Sequence, residues 1–131
     1  MRAPAAWGSI ASLQIRLDMM TRATLRLDFD QTRRLGPGKI ALLEAIDRTG
    51  SISAAGREFG MAYRRAWLLT DEVNHMFATP LVTARGGGRN GGGATLTELG
   101  QKVVRLYRNA EDKLRVSASR EIRAIEKALA P

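Results

Sequence analysis

The sequence predicts a mostly helical protein with one small β-hairpin and a long helix at its C-terminal end. Three observations lead to this prediction. Apolar residues recur at helical spacing between residues 38 and 77. A glycine-rich tract at 86–93 separates two short apolar runs, which is typical of two strands and their connecting loop. From residue 98 onward, apolar residues recur at every third or fourth position.

Composition narrows the class of protein. With 131 residues, the chain suits one compact domain plus an extension. Its net charge of +8 and its pI near 11.0 favour nucleic acid or an anionic membrane surface as a partner. No apolar run approaches the ~20 residues that cross a bilayer, so we expect that the chain is not an integral membrane protein and that a membrane is not among its partners.

Few residue types suited to metal binding or catalysis are available. The chain has no cysteine, and His75 is its only histidine. Disulfides, thiolate nucleophiles and sulfur-ligated zinc are therefore excluded, and histidine-based sites are disfavoured. No nucleophile–base pair or carboxylate dyad can be identified either. We therefore expect that the protein has no catalytic residue and no metal ligand, and that it is not an enzyme.

The N-terminal third begins without a clear pattern. Residues 1–22 are expected to form a loosely ordered tail, in which Met19 or Met20 could be the true start.

Residues 24–30 alternate between apolar and charged side chains, which predicts a strand. A helix is then predicted to begin at Pro37 and to end at Gly50.

Residues 51–67 read as two short helices joined by a tight turn. Ser51 and Ser53 are expected to cap the first helix, with phosphate contact as a second role, and Gly60 supplies the turn. The next helix, at about 62–77, opens with exposed side chains that suit phosphates and guanine edges and that are expected to bind DNA: Tyr63, Arg64 and Arg65. Trp67 is expected to pack in the core. This arrangement is that of a helix-turn-helix.

The glycine-rich tract is interpreted as the tip of a hairpin, or wing. Arg85 and Arg89 would then reach phosphates or a minor groove. A flexible linker is one alternative, and a phosphate-cradling nucleotide loop is another. The tract lacks the Gly-Lys-Ser/Thr ending of a P-loop, which weakens the nucleotide alternative.

The C-terminal segment is predicted to be one helix of some 33 residues, roughly 50 Å long at about 1.5 Å per residue. Because a domain of this size is only about 30 Å across, its apolar stripe is expected to pack against a second copy. The predicted dimer interface comprises Leu99, Val103, Leu106, Ala110, Leu114, Ile122, Ile125 and Leu129.

These elements define the predicted fold class: mostly α with a small β wing, as a winged helix-turn-helix followed by a long C-terminal dimerisation helix. The predicted domains are the tail at 1–22, the DNA-binding domain at 23–97 and the dimerisation helix at 98–131.

Seven segments, in this order, resemble the N-terminal DNA-binding domain of the ModE family of molybdate-responsive transcriptional regulators. They are GKIALLEAI at 38–46, GSISAA at 50–55, YRRAW at 63–67, DEVN at 71–74, PLV at 80–82, GGGA at 91–94 and LTELG at 96–100. The resemblance covers about residues 23–115. A more distant similarity to LysR-type DNA-binding domains points to the same winged fold.

The resemblance implies a cytoplasmic bacterial homodimer, located on the nucleoid when bound, that regulates transcription from an inverted-repeat operator in double-stranded DNA. Members of the family continue into molybdate-binding domains, whereas this chain ends at Pro131. We therefore expect a stand-alone DNA-binding unit without a cofactor. Ala62 also stands where such domains often carry a capping serine.

One alternative belongs to another functional class. The chain could be a helical protein-interaction module that pairs with a larger regulatory protein carrying the sensor domain. A shift of labelled DNA by the purified protein alone would separate this hypothesis from DNA binding.

Overall fold

The computed structural model describes residues 21–85 and 93–131. The described residues fall into two compact units: Thr24–Lys113, and a smaller one comprising residues 21–23 and Leu114–Pro131. Most of the predicted tail, and the hairpin tip with Arg89, lie outside the described residues. The predicted domain boundaries after residues 22 and 97 stay predictions.

The first sheet of the larger unit is a two-stranded antiparallel ribbon of β1 (Leu27–Asp28) and β2 (Arg34–Leu35). The predicted strand at 24–30 is shortened to β1 because Asp30 starts a turn. Its carboxylate accepts the backbone N–H groups of Thr32 at 3.0 Å and Arg33 at 2.7 Å. A side-chain hydrogen bond from Arg33 also holds the pKa of Asp30 well below its usual value.

Helix α1 (Pro37–Thr49) lies at the centre of the larger unit. Pro37 opens it, since a proline at a helix start loses no hydrogen bond there. Gly50 ends it in the left-handed conformation, at φ 74°, and donates its N–H to the Ile46 carbonyl at 2.8 Å. The predicted helix is confirmed, and its core side chains are Ile40, Leu42, Leu43, Ala45 and Ile46.

Helices α2 (Ile52–Glu58) and α3 (Tyr63–Met76) follow as a closely packed pair. The Ser51 hydroxyl caps α2 by accepting the Ala54 N–H at 3.0 Å, as predicted. The two helices are in close contact at Gly56, where an added Cβ would lie 2.7 Å from the Ala66 Cβ. The predicted inner face of α3 is confirmed: Ala66, Val73 and Met76 are buried, and Leu69 and Phe77 are partly buried.

An antiparallel hairpin of β3 (Val82–Arg85) and β4 (Gly93–Leu96) follows α3, with Val82 opposite Leu96. The Asn74 side chain joins α3 to the start of this hairpin. Its carbonyl oxygen accepts the N–H groups of Leu81 and Val82, each at 2.9 Å, and its amide donates to the Val82 carbonyl at 3.0 Å. These three bonds fix the first strand on the helix.

Helix α4 (Glu98–Ser117) packs its first three turns into the larger unit. The Thr97 hydroxyl caps it by accepting the Gly100 N–H at 3.0 Å, and Gly100 itself is buried. Further along, the buried Tyr107 donates its hydroxyl hydrogen to the Leu25 carbonyl. Burial raises the pKa of this hydroxyl.

One ion-pair network joins α4 to α1. The Arg108 guanidinium donates to both carboxylate oxygens of Glu44, at 2.9 and 2.7 Å, and to Glu111 at 2.8 Å. The hydrogen bonds to Glu44 raise the pKa of Arg108 further above its usual value. Since the Glu111 side chain is only 5% exposed, the network includes a largely desolvated charge.

The C-terminal segment is not the single rod that the sequence predicted. Helix α4 ends at Ser117, and a separate helix, α5 (Ser119–Lys127), follows Ala118, whose φ of −98° and ψ of 13° leave the helical region. No glycine or proline marks this break, so apolar spacing alone could not reveal it.

Within residues 21–85 and 93–131, every helix is too short or too polar to span a membrane.

Candidate functional site

The N-terminal end of α3 presents the strongest concentration of exposed basic and aromatic side chains among the predicted site residues. Tyr63, Arg64 and Arg65 are all exposed, as expected, and the first turn contains no acidic residue. Ala62 precedes the helix without a side-chain cap. The positive end of the helix dipole therefore adds to the charge of the two guanidinium groups.

A groove of about 580 Å³ runs between this helix, the start of α2 and the hairpin. Three of the predicted site residues, Ser51, Ser53 and Tyr63, line it together. Trp67 lies on the same wall of the groove as Tyr63, one helical turn further along. The fold thus brings together residues as far apart in the chain as Ser51 and Ala94.

The two serines of the groove also have roles within the protein. Ser51 caps α2, but the prediction that Ser53 also caps it is wrong, because Ser53 lies inside the helix. Its hydroxyl accepts a hydrogen bond from Arg57 Nη1 at 2.9 Å instead. A hydroxyl can still donate its own hydrogen while it accepts. Both serines are therefore compatible with an anionic group at the start of α2.

Arg85 lies at the end of β3, and its exposed side chain covers two glycines. A Cβ added to Gly50 would lie 2.8 Å from the Arg85 Nη1, and one added to Gly93 would lie 2.8 Å from its Nε. The guanidinium therefore sits beside the residue that precedes the Ser51 cap. This placement sets a third positive group near the groove, while Arg89 lies outside the described residues.

Trp67 differs from its predicted place in the core, because 47% of its surface is exposed. The buried stripe of α3 follows Ala66, Thr70 and Val73, and position 67 lies about 100° around the helix from position 66. Tryptophan is apolar enough to be assigned to the core by composition. A strict count of the helical angle would have placed it on the outer face.

The predicted dimer residues differ in how far the chain itself covers them. Leu99 and Val103 are partly buried against the core of the larger unit, so the chain itself already covers them. Ile122 is half-buried. The remaining five are exposed, and four of them are large: Leu106, Ala110, Leu114, Ile125 and Leu129.

Comparison with known proteins places this chain near molybdenum-related binding proteins and regulators of bacteria. It is 51% identical over 74 residues to a molybdenum-pterin-binding protein, MopB, of Rhodobacter capsulatus. Over 89 residues it is 42% identical to the molybdenum transport protein ModE of Azotobacter vinelandii and 37% identical to the DNA-binding transcriptional dual regulator ModE of Escherichia coli K12. None of these three names is that of an enzyme.

The matches are partial in both directions. They cover 56% of this chain for MopB and 68% for the two ModE proteins. The same matches cover 27%, 33% and 34% of the relatives, so the chain spans about a third of their length. No family model matches the chain.

These relatives correct three of the predictions. Two of them, at 51% and 45% identity, are named molybdenum-pterin-binding proteins, which overturns the expected stand-alone unit without a molybdate-binding domain. For the same reason, the prediction that no cofactor is involved is wrong. The predicted fold class is also wrong: the relatives are named for molybdenum-pterin binding, and the expected long dimerisation helix is two helices, the first of which packs into its own unit.

A bound metal ion would need a cluster of ligands. Within residues 21–85 and 93–131, no three histidine, cysteine, aspartate or glutamate side chains lie close enough together to hold one.

Proposed function

We propose that this protein is a molybdenum-related transcription regulator that binds double-stranded DNA through the groove face of α2, α3 and the hairpin. One observation carries the proposal: the start of α3 exposes Tyr63, Arg64 and Arg65 with no acidic residue in its first turn. The names of the relatives, which include a DNA-binding transcriptional regulator, support the same conclusion.

The side chains of the groove face suit the bases and the phosphates of a DNA duplex. A helix fits the major groove, where arginine can donate two hydrogen bonds to guanine. Ser51 lines the groove at the start of α2, and Arg85 lies beside Gly93, another lining residue, so both are placed where phosphates would be contacted. The net charge of +8 favours any such association through release of counterions.

The relatives extend this proposal to an effector. Because two of them are named for binding molybdenum-pterin, we propose that a molybdenum compound controls the regulator. We assign this effector to the protein as a whole and to no residue described above.

The direct test is binding of the purified protein to labelled random-sequence duplex by fluorescence anisotropy. We expect binding at low salt that weakens steeply as salt rises, since each phosphate neutralised adds about 0.9 to the slope of log affinity against log salt. Absence of binding at low salt would overturn the proposal and leave the protein-interaction alternative.

Replacing Arg64 with alanine should weaken binding to a selected sequence by about 1–3 kcal/mol, while binding to random DNA should change much less. Arg26→Ala is the matched control. Arg26 is an exposed arginine that hydrogen-bonds Asp28 at 2.9 Å and does not line the groove. Equal losses of Arg64→Ala on selected and random DNA would contradict base reading by this residue.

We also propose that the protein acts as a homodimer, through the apolar face of the smaller unit. Leu114, Ile125 and Leu129 are 47%, 66% and 69% exposed: the first lies in the last turns of α4, the second in α5, and the third just after the end of α5. Large apolar side chains exposed in one short stretch of chain are a feature of interaction sites when they form a continuous patch. A second copy would also give the two-fold symmetry that an inverted-repeat operator requires.

Ile125→Glu should weaken the dimer by more than about 30-fold, because burying a carboxylate at the interface costs several kcal/mol. Sedimentation equilibrium should then give the monomer mass of 14.3 kDa instead of twice that value. Ala124→Glu is the control, since residue 124 is exposed and lies about 100° around α5 from residue 125. A monomeric wild-type protein would contradict the proposed dimer.

A further inference from the structure

Two exposed aromatic side chains on α3, Tyr63 and Trp67, form what we call the aromatic pair. They are four residues apart and therefore lie on the same face of the helix. Tyr63 is 59% exposed and Trp67 is 47% exposed. Both line the groove beside α2 and the hairpin, and with Arg64 and Leu68 they also line a second, shallower groove of about 390 Å³.

The charges around the aromatic pair indicate what kind of partner covers it. Arg64 and Arg65 lie between the two rings in the chain, and the first acidic residue of the helix is Asp71, one turn beyond Trp67. The aromatic pair is an exposed apolar surface beside two guanidinium groups. Such a surface fits a polyanion that also presents apolar groups. DNA has both properties, since its major groove displays the C5-methyl group of thymine.

We infer that Trp67, together with Tyr63, contacts thymine methyl groups in the major groove and so determines part of the operator sequence. This inference rests on the proposed function, because it needs α3 to enter the groove. It assigns to Trp67 a specificity role that its expected burial in the core would have excluded. Arginine at the same surface can donate hydrogen bonds to guanine. The arginines would thus recognise guanine, and the aromatic rings would recognise thymine.

The spacing of the pair makes the inference more specific. Four residues of helix advance about 6 Å along its axis. Successive base pairs are about 3.4 Å apart. If α3 follows the groove, the two rings are therefore about two base steps apart, and we expect two sensitive thymines with this separation in each half-site.

The test first selects preferred duplexes from a random pool with the full chain, and then replaces each thymine of the selected site, one at a time, with uracil. Uracil keeps every hydrogen-bonding group of thymine and lacks only the methyl. We expect two positions per half-site at which uracil weakens wild-type binding about three- to five-fold, the ratio that burying one methyl group supplies.

Three variants connect this effect to the ring. Trp67→Ala should bind the selected site more weakly and should lose the difference between thymine and uracil at one position, whereas Trp67→Phe should keep most of that difference. Phe59→Ala is the matched control, because Phe59 is also 47% exposed but does not line the groove. It should leave the ratio of thymine to uracil affinity unchanged. Far-UV circular dichroism checks that each variant is folded.

The outcomes separate the inference from the proposed function. If wild-type protein binds DNA but no uracil substitution changes its affinity, or if Trp67→Ala keeps the wild-type ratio, the inference is overturned and DNA binding stands. Selection that returns no preferred sequence also overturns it. A protein that binds no duplex at low salt overturns both.

Discussion

Replacing Gly100 with alanine should lower the free energy of unfolding by about 3 kcal/mol, the upper end of what an added methyl group costs in a packed interior. A Cβ at this position would lie 2.3 Å from the Leu81 carbonyl oxygen and 3.1 Å from its carbonyl carbon. These are backbone atoms of the segment that Asn74 holds in place, so they cannot move aside as a side-chain end could. Helix α4 would have to shift away from the hairpin.

Urea unfolding followed by circular dichroism measures this loss. Gly38→Ala in α1 is the control, because nothing lies within 4 Å of an added Cβ there. That variant should gain about 0.5 kcal/mol by restricting the unfolded chain. A Gly100→Ala protein as stable as the wild type would show that the contact between α4 and Leu81 is looser than the structure has it.

Arg108→Met should lower the free energy of unfolding by about 2–3 kcal/mol. The change removes three charge-assisted hydrogen bonds, two to Glu44 and one to Glu111, and leaves the nearly buried Glu111 carboxylate without this partner. The Arg108 side chain is itself 39% exposed, so solvent screens part of the interaction and the larger losses of fully buried pairs are not expected.

Arg48→Met provides the matched comparison for this network. Arg48 pairs with Glu58 at the surface, where the side chains are 61% and 40% exposed. Its loss should change the stability by less than about 1 kcal/mol, as for most exposed pairs. Similar losses for both variants in the same urea titration would contradict a special role of the link between α4 and α1.

The helix boundaries of the larger unit could be predicted because each depends on a residue with one dominant local preference. Gly50 and Gly60 adopt φ angles of 74° and 66°, which the chain tolerates best at glycine. The Ser51 and Thr97 hydroxyls cap the helices that follow them. In each of these cases the interacting groups are at most four residues apart, so sequence alone contains the information.

The features that the sequence did not reveal depend on distant partners or on weak local signals. Arg108 and Glu44 are 64 residues apart, and nothing in either segment indicates the pairing. Strand β2 has only two residues, too few for any alternation. For the candidate site, the sequence predicted the exposed Tyr63, Arg64 and Arg65, but it placed Trp67 in the core and Leu99 on an interface.

The orientation of the hairpin depends on one side chain, that of Asn74. Its amide both accepts two N–H groups and donates to one carbonyl of the strand start. Aspartate at physiological pH has no hydrogen to donate, and glutamine is one methylene longer. A side chain of the preceding helix therefore sets the orientation of the hairpin strands. An engineer who moves this hairpin to another helix, or replaces it with a relative's hairpin, must keep an asparagine at the corresponding helix position.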